Sequence, residues 1–321
     1  MKKYENNRKH FGRFFEIGGM TLPRRIIPHA VYLITRRCTQ RMFLLKPSIR
    51  TTSIFIYCLA VAAQKTGVQI HAVAVLSNHY HAVCTDPEGR LPEFMAYLHR
   101  LVATCMNAGM GRWENFWASE KPSAVRLEND EDILDKIVYT ACNPVAAGLV
   151  AKAEHWPGLL AYQAGTILKA GRPEVFFRKD GDMAESASIR LTSPPLNTKL
   201  PEQTYNEQIK NLVGNEEKRI QAEMASLGRS FMGRAAVLAQ KVTDTPYRQE
   251  PRRRLNPTLA CKSKWHRIEA LRRLKSFVSE YKEALTQWRR GNREVVFPAG
   301  TYALRIHAGV RCRVLPAVAS G

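Results

Sequence analysis

Two histidines separated by one residue, His79 and His81, are the pair of side chains in this sequence best suited to binding a metal ion. They lie in an apolar, β-branched run that predicts a strand, and residues i and i+2 of a strand point to the same face. Two imidazoles side by side are a ready pair of metal ligands. The same pair in a core without metal would need hydrogen-bond partners to offset its burial, so the pattern alone leaves both interpretations open.

A second pair, Tyr139 and Asn143, lies four residues apart in a segment predicted to be helical. This spacing places both side chains on one helical face. Pro144 disfavours helical geometry at the preceding residue, so we expect Asn143 to close the last turn. A helix end exposes its side chains and is a suitable place to reach a shared site. Taken alone, Tyr139 is one of eleven tyrosines, and core packing would be its default role.

Acidic residues are concentrated just before Tyr139. They are Glu128, Asp130, Glu131, Asp132 and Asp135. Acidic residues in a first helical turn complement the helix dipole, and Asp130 can cap the helix N-terminus. We therefore do not assign this run to the metal.

The elements that must position these side chains alternate between strands and helices. The predicted order is strand, helix, strand, strand, helix, strand, helix, over residues 30–35, 51–66, 68–76, 79–85, 91–108, 123–127 and 130–143. Gly67 and Gly109 are the expected stops of the first two helices. The order predicts an α+β fold of the ferredoxin-like plan, an antiparallel sheet with helices on one face.

Outside this region the composition changes. Residues 1–23 predict a basic N-terminal arm, residues 166–213 a linker or extended segment, and residues 214–321 a basic, mainly helical C-terminal region. A long helix is predicted over Trp265–Arg290. Its apolar residues step by three and four and form one stripe, which is either core or a seam with a second copy of the chain in a homodimer. The stripe comprises Ile268, Leu271, Leu274, Val278, Tyr281, Leu285 and Trp288.

The charge distribution indicates a polyanionic partner. The net charge is +21, yet residues 51–165 carry −3, whereas residues 1–50 carry +10 and residues 166–321 carry +14. An excess confined to two flanks favours nucleic-acid contact over a solvated charged face. No apolar run approaches the roughly 20 residues of a membrane span, and the charged N-terminus does not resemble a signal peptide. We therefore expect a soluble, cytoplasmic, nucleoid-associated protein that does not bind membranes.

The seven cysteines are scattered, odd in number and never spaced as Cys-x-x-Cys. This argues against a disulfide framework and against a cysteine zinc site. Hydrophobic residues make up 45% of the chain, which is enough to form a core.

Three motifs in order resemble one known family. The segment 73–83, which includes Ser77-Asn78-His79-Tyr80-His81, resembles the metal-binding strand of the HUH single-tyrosine transposases, and among them the REP-associated tyrosine transposases. The segment 139–150, from Tyr139 through Asn143-Pro144 to Gly148, looks like their nucleophile helix and its exit. His155-Trp156-Pro157-Gly158, followed by Tyr162, resembles the segment that comes next. The resemblance covers residues 24–165, whose expected role is that of a catalytic domain. Thr140, Ala141 and Cys142 depart from the aromatic or polar residues often found there.

The resemblance implies a role for each matching residue. His79, His81 and Asn143 would be ligands of a divalent metal ion, Mg²⁺ or Mn²⁺. Tyr139 would be the nucleophile that cleaves single-stranded or hairpin DNA, which leaves a 5′-phosphotyrosine and a free 3′-hydroxyl. The basic flanks would hold the DNA backbone. The candidate arginines are Arg24, Arg25, Arg36, Arg37, Arg252, Arg253 and Arg254.

Two other functions stay open at this point. The first is a non-catalytic regulator on the same fold that binds DNA or RNA, which the basic flanks suit equally well. The second is a metal-dependent hydrolase of small phosphoesters, which predicts neither a covalent adduct nor salt-sensitive substrate binding.

Overall fold

The computed structural model describes residues 23–175, 182–247 and 257–314. Most of the predicted N-terminal arm, residues 1–22, lies outside them. The described residues divide into two compact units, one from Ile27 to Leu271 and the other made of the residues before and after that range. No described helix has the length and apolar character needed to cross a membrane.

A six-stranded sheet is the centre of the larger unit, and its strands run in the order β5-β2-β3-β1-β4-β8. These strands are β1 (Ala30–Arg37), β2 (Gln69–Leu76), β3 (His79–Asp86), β4 (Ser123–Leu127), β5 (Leu160–Ala161) and β8 (Leu259–Ala260). Neighbouring strands are antiparallel except β4 and β8. The inner order β2-β3-β1-β4, with α1 between β1 and β2, is the ferredoxin-like plan. The predicted fold class is confirmed.

Helices cover both faces of this sheet. The helices in the described residues are α1 (Ile49–Thr66), α2 (Leu91–Met110), α3 (Asp130–Ala146), α4 (Glu202–Ser226), α5 (Arg234–Ala239), α6 (Lys264–Arg289) and α7 (Ala303–Ala308). One core contains the buried sides of α1 and α2 with alternate strand residues such as Ile34 and Tyr80. The other contains α3 and α4 with the intervening strand residues, such as Leu33 and Val83. The expectation of helices on one face therefore describes α1 and α2, while α3 and α4 cover the opposite face.

Local sequence signals explain where α1 begins and ends. The Ser48 hydroxyl accepts a hydrogen bond from the Thr51 amide at 3.0 Å and caps the first turn. Gly67 follows the last turn with a φ of 73°, a conformation that glycine adopts without steric cost. The buried residues between them are mostly apolar and occur on nearly every side of the helix. This is in accordance with a helix enclosed by the sheet, α2 and two later strands, Ile167–Gly171 and Ser186–Arg190.

Three predicted helix boundaries differ from the structure. Helix α2 continues through Gly109 and ends at Gly111, the residue that has the positive φ of 65°. Helix α3 is capped by the Asn129 side chain and not by Asp130. It also passes through Pro144 to Ala146 instead of closing at Asn143, because a proline so near the helix end removes only one hydrogen bond, and its buried ring adds to the core.

The segment 166–213 contains more regular structure than the linker that its composition predicts. It holds β6 (Ile167–Gly171) and β7 (Ser186–Arg190), an antiparallel pair that packs on α1, and the first half of α4. The Tyr57 hydroxyl donates to the Ala184 carbonyl at 2.6 Å and attaches this pair to α1. The prolines and polar residues of this segment do not predict these elements. The strands and the helix are stabilised by packing on α1 and α3, which the local sequence does not encode.

The smaller unit has a core of its own. Buried Ala284, Leu285, Phe297 and Val310 pack with half-buried neighbours that include Tyr281 and Trp288. The predicted helix over Trp265–Arg290 is present as α6. Its buried face differs from the predicted stripe, because Phe277, which was not in the stripe, is buried, whereas Leu274 and Val278, which were, are half-buried. Pairing of α6 between two copies of the chain stays a prediction.

A buried histidine fastens the segment after β7 to the sheet. His71 is fully buried in β2, with Nδ1 donating to the Thr192 carbonyl at 2.8 Å and Nε2 accepting from the Thr85 hydroxyl at 2.7 Å. Burial lowers the pKa of His71 to about 4. The folded state therefore binds the proton more weakly than the unfolded state does.

We predict that the free energy of unfolding is fully retained above pH 6.5 and falls as the pH decreases toward 4. The contribution of His71 to this loss reaches roughly 3 kcal/mol. Urea unfolding at pH 7.5, 6, 5 and 4.5 measures it, with His71→Gln as a variant whose side chain cannot titrate. The variant should be less stable at pH 7.5 but show a flatter pH dependence. Parallel pH profiles for the two proteins would contradict this role of His71.

Candidate active site

His79 and His81 lie at the start of β3 on the sheet face that α3 covers. Their ring centroids are 4.9 Å apart with an interplanar angle of 86°. Tyr80, between them, points into the opposite core, where its hydroxyl lies 2.7 Å from Nε2 of His99. The predicted placement of the two imidazoles on one face is therefore what the structure shows, and the strand alternation is its cause.

Tyr139 lies on α3 directly against His81. Its ring centroid is 5.2 Å from that of His81, in an edge-to-face arrangement. Of its side chain 43% remains exposed, so the residue is accessible to a large ligand while one side contacts the imidazole. The Lys136 ammonium, one turn earlier, lies 5.5 Å from the Tyr139 ring centroid and adds positive charge beside the phenol.

Small residues on β2 allow α3 to lie close to the sheet. Ala72 and Ala74 are fully buried in the same core as Ile137 and Ala141 of α3. The side chains of Ile137, Ala141 and Val145 follow each other at spacings of four on the buried side of α3. Tyr139 falls outside that spacing, at the edge of the helix–sheet contact, and therefore reaches the histidines without becoming buried.

His81 is held neutral in a buried position. It is 5% exposed, and its Nδ1 lies 2.8 Å from the hydroxyl of Thr35, its cross-strand neighbour on β1. Burial is the largest cause that lowers the pKa of His81 well below its ordinary range, and the nearby His79 and Arg37 lower it further. A neutral imidazole has a ring nitrogen with a lone pair, which is the form that binds metals.

His79 is half-buried and has a different partner. Its Nδ1 lies 2.6 Å from Oδ1 of Asn78, in the two-residue turn between β2 and β3. The Asn78 amide nitrogen in turn donates to the carbonyl oxygen of Arg41 at 3.2 Å. The two imidazoles are thus each anchored through Nδ1, by an amide in one case and by a hydroxyl in the other.

Asn143, the third predicted ligand, lies one turn beyond Tyr139 on α3. It is 8% exposed, and its backbone carbonyl accepts from the Ala147 amide at 3.0 Å, within the last turn of the helix. Its place on the helix face of Tyr139 agrees with the i,i+4 spacing. Its role as a metal ligand stays a prediction.

The predicted ligands do not by themselves complete a metal site. Among the described residues, no group of three or more His, Cys, Asp or Glu side chains is arranged to hold a metal. Binding of a cation by the two imidazoles and the amide oxygen of Asn143 therefore stays a prediction. Mg²⁺ usually keeps several waters and binds substrate phosphate oxygens besides a few protein ligands, so an incomplete protein set is compatible with a phosphate substrate.

The acidic run before Tyr139 has structural partners in later segments of the chain. Asp132 accepts from the Lys262 amide at 2.8 Å, and Asp135 pairs with the Lys136 and Lys262 ammonium groups at 2.8 and 2.6 Å. Asp130 accepts from the Asn197 amide at 2.9 Å. These carboxylates attach the segments around 197 and 262 to the first turns of α3.

The candidate DNA-binding arginines fall in different places. Arg37 is exposed and pairs across strands with His79, so it lies on the histidine face. Arg36 points to the other face, and its guanidinium donates to the carbonyls of Ala118 and Glu120 at 3.0 and 2.8 Å. Arg24 and Arg25 belong to the smaller unit. Arg252, Arg253 and Arg254 lie outside the described residues.

The motif after α3 supports the sheet beneath the site. The indole nitrogen of Trp156 donates to the Val75 carbonyl at 3.1 Å and thereby holds β5 beside β2. A Cβ on Gly158 would lie 2.7 Å from that indole nitrogen and 3.2 Å from the Val75 oxygen. Glycine is therefore required there for close packing, and the motif has a structural role.

Sequence reasoning missed the two residues that anchor the imidazoles. Thr35 gives no local signal, because only the β1–β3 register brings its hydroxyl to His81. Asn78 had a place in the sequence analysis only as part of the motif 73–83. Its adjacency to His79 was the available clue, since asparagine carries an acceptor that can bond a neighbouring imidazole.

No known family profile matches this chain, and no curated protein matches it either. Among solved structures, a REP-associated tyrosine transposase bound to a REP hairpin is similar over 45% of this chain and 81% of that one, at 16% identity and a TM-score of 0.35. A candidate transposase from Deinococcus radiodurans R1 is similar over 33% of this chain and 85% of that one, at 17% identity and a TM-score of 0.26.

We predict that Thr35→Val destabilises the protein by about 1–3 kcal/mol, because it leaves the buried Nδ1 of His81 without its hydrogen-bond partner while the side-chain shape is kept. Urea unfolding measures the change. Thr104→Val is the matched control, since its exposed hydroxyl bonds only the Arg100 carbonyl of its own helix. Equal effects of the two substitutions would contradict a special role for the Thr35–His81 contact.

Proposed function

We propose that the protein nicks and rejoins single-stranded DNA, with Tyr139 as the nucleophile and a divalent metal ion at His79, His81 and Asn143. The observation that supports this most directly is the contact between Tyr139 and His81. The Tyr139 ring lies 5.2 Å from the buried His81 ring, while the rest of the tyrosine remains open to solvent. The sequence motifs that contain these residues support it independently, because they lie far apart along the chain and meet only in the fold.

In this proposal Tyr139 Oη attacks a phosphorus atom of the DNA backbone. The Oη–P bond forms, the bond from phosphorus to the 3′ oxygen breaks, and the phenol proton leaves to solvent while the 3′ oxygen takes one up. The products are a 5′-phosphotyrosine and a free 3′-hydroxyl. Since the phosphodiester energy is kept in the covalent bond, a second 3′-hydroxyl can reverse the step and join a strand without ATP.

The side chains around Tyr139 suit this reaction. His79, His81 and Asn143 would hold Mg²⁺ or Mn²⁺, which when bound neutralises and orients the scissile phosphate. Lys136, which also pairs with Asp135, places a cation beside the Tyr139 ring, where it would attract the phosphate. Arg37, exposed next to His79, is positioned to contact the DNA backbone on the same face.

The basic flanks supply the rest of the affinity for DNA. Residues 166–321 carry a net charge of +14, and neutralising several phosphates makes binding steeply dependent on salt. The substrate that we propose is a single strand beside a hairpin, as the resemblance of the motifs implies.

We predict that Tyr139→Phe abolishes the covalent adduct with DNA and leaves DNA binding nearly unchanged, because only the attacking oxygen is removed. Hairpin oligonucleotides labelled at the 5′ or 3′ end, incubated with Mn²⁺ and run on denaturing gels, measure adduct and cleavage. Tyr162→Phe is the control, a half-buried tyrosine outside the site. An adduct that persists in Tyr139→Phe would remove Tyr139 from this role. Tight, salt-sensitive binding by the wild type without any cleavage would favour the non-catalytic regulator.

We predict that His79→Ala eliminates metal-dependent cleavage and lowers Mn²⁺ affinity by at least about tenfold. Titration calorimetry with Mn²⁺ measures the binding directly. His155→Ala serves as the control, because the His155 side chain is 54% exposed beside Glu154 and belongs to no predicted metal set. Unchanged Mn²⁺ binding in His79→Ala would show that the ion binds elsewhere or not at all.

A further inference from the structure

We infer that Asn78 is a positioning residue that fixes the tautomer of His79, with the proton on Nδ1 and the lone pair on Nε2. The inference about the tautomer concerns the metal-free protein. Its consequence, that Nε2 is the atom offered to a metal ion, rests on the function proposed above.

The orientation of the Asn78 amide follows from the group on its other side. The Arg41 carbonyl oxygen, 3.2 Å away, is only an acceptor, so the NH₂ end of the amide must face it. The amide oxygen then faces Nδ1 of His79 at 2.6 Å. An amide oxygen is likewise only an acceptor, and an unprotonated Nδ1 would place two acceptors against each other. Nδ1 therefore carries the proton.

The backbone around Asn78 keeps both of its partners in place. The Asn78 carbonyl accepts from the Cys38 amide at 2.8 Å, and the Ser77 carbonyl accepts from the Leu45 amide at 2.8 Å. The Arg41 amide donates back to the Cys38 carbonyl at 3.2 Å. The turn 77–78 and the segment 38–45 are thus joined at several points, and the Asn78 amide lies between them.

Unfavourable backbone conformations bring the Arg41 carbonyl to this position. Gln40 and Arg41 have φ angles of 49° and 60°, in the left-handed region that residues other than glycine seldom adopt. Two such residues in succession cost free energy. The fold retains them next to the residue that orients His79, where the direction of one carbonyl determines which way the amide of Asn78 points.

His81 provides an internal contrast. Its Nδ1 partner is the Thr35 hydroxyl, which can donate or accept, so that contact holds the ring but does not select the tautomer. The Asn78 contact is therefore the more specific of the two. A ligand histidine must present a lone pair without first losing a proton, and a partner on the other nitrogen is what ensures this.

The tautomer can be read in metal-free protein with ¹⁵N-labelled histidine, at a pH where His79 is neutral. The ¹⁵N shifts and proton couplings of the His79 ring nitrogens show which one is protonated. We expect the Nδ1–H form in the wild type and a mixture of both forms in Asn78→Ala. Asn78→Asp, which keeps an acceptor oxygen beside Nδ1, should restore the Nδ1–H form. Ser77→Ala, in the same turn but bonded to Gln240, should leave it unchanged.

Mn²⁺ affinity is then measured by calorimetry on the same four proteins. Asn78→Ala should bind Mn²⁺ about 10- to 100-fold more weakly, and Asn78→Asp should recover most of that loss. The inference about the tautomer is overturned if Asn78→Ala keeps the Nδ1–H form. It is also overturned if Asn78→Ala loses that form and Asn78→Asp does not restore it. A changed tautomer with unchanged Mn²⁺ affinity would overturn its consequence for the metal. Failure of the wild type to bind Mn²⁺ at this site contradicts the proposed function alone, because the tautomer result does not depend on metal.

Discussion

The close packing of α3 on the alanine face of β2 is the contact on which the candidate site depends. Ala72 and Ala74 are buried without side chains large enough to hold the helix away. Tyr139 therefore reaches His81 from the edge of the helix–sheet contact. Larger residues at either alanine would push α3 outward, since cores of native packing density accommodate extra methylenes poorly. The distance from the phenol to the imidazole of His81 is in this sense determined on the adjacent strand, where Ala74 lies directly opposite His81.

The sheet has polar chemistry on one face and a conventional core on the other. Phe55, Tyr80 and Trp117 form an aromatic cluster on the α1–α2 side, whereas the α3 side holds His79, His81 and Thr35. Strand alternation makes this separation possible, because neighbouring residues of β3 serve the two faces in turn. Burying two imidazoles costs free energy, and the hydroxyl and the amide bonded to their Nδ1 atoms offset that cost.

The later part of the chain stabilises the ferredoxin-like sheet besides carrying positive charge. β6 and β7 cover α1, α4 covers α3, and β8 extends the sheet in parallel with β4. Lys262 and its backbone amide bind Asp135 and Asp132 at the start of α3. The helix that carries Tyr139 is thus held at its first turns by a segment more than 100 residues later in the sequence.

The sequence by itself determined the elements whose signals are local. Apolar, β-branched runs predicted the main strands, Gly67 ended α1, and the His-x-His spacing placed both imidazoles on one face. The pairing of those histidines with Tyr139, 58 residues later, was expected only from the resemblance of the motifs, since periodicity does not say which faces meet. Tertiary structure alone decided the side of the sheet that α3 covers, the passage of that helix through Pro144, and the strands hidden in residues 166–190. It also decided that Thr35 and Asn78 anchor the imidazoles. The Thr35 contact depends on strand register and the Asn78 contact on the left-handed backbone at 40–41, and neither feature follows from local sequence.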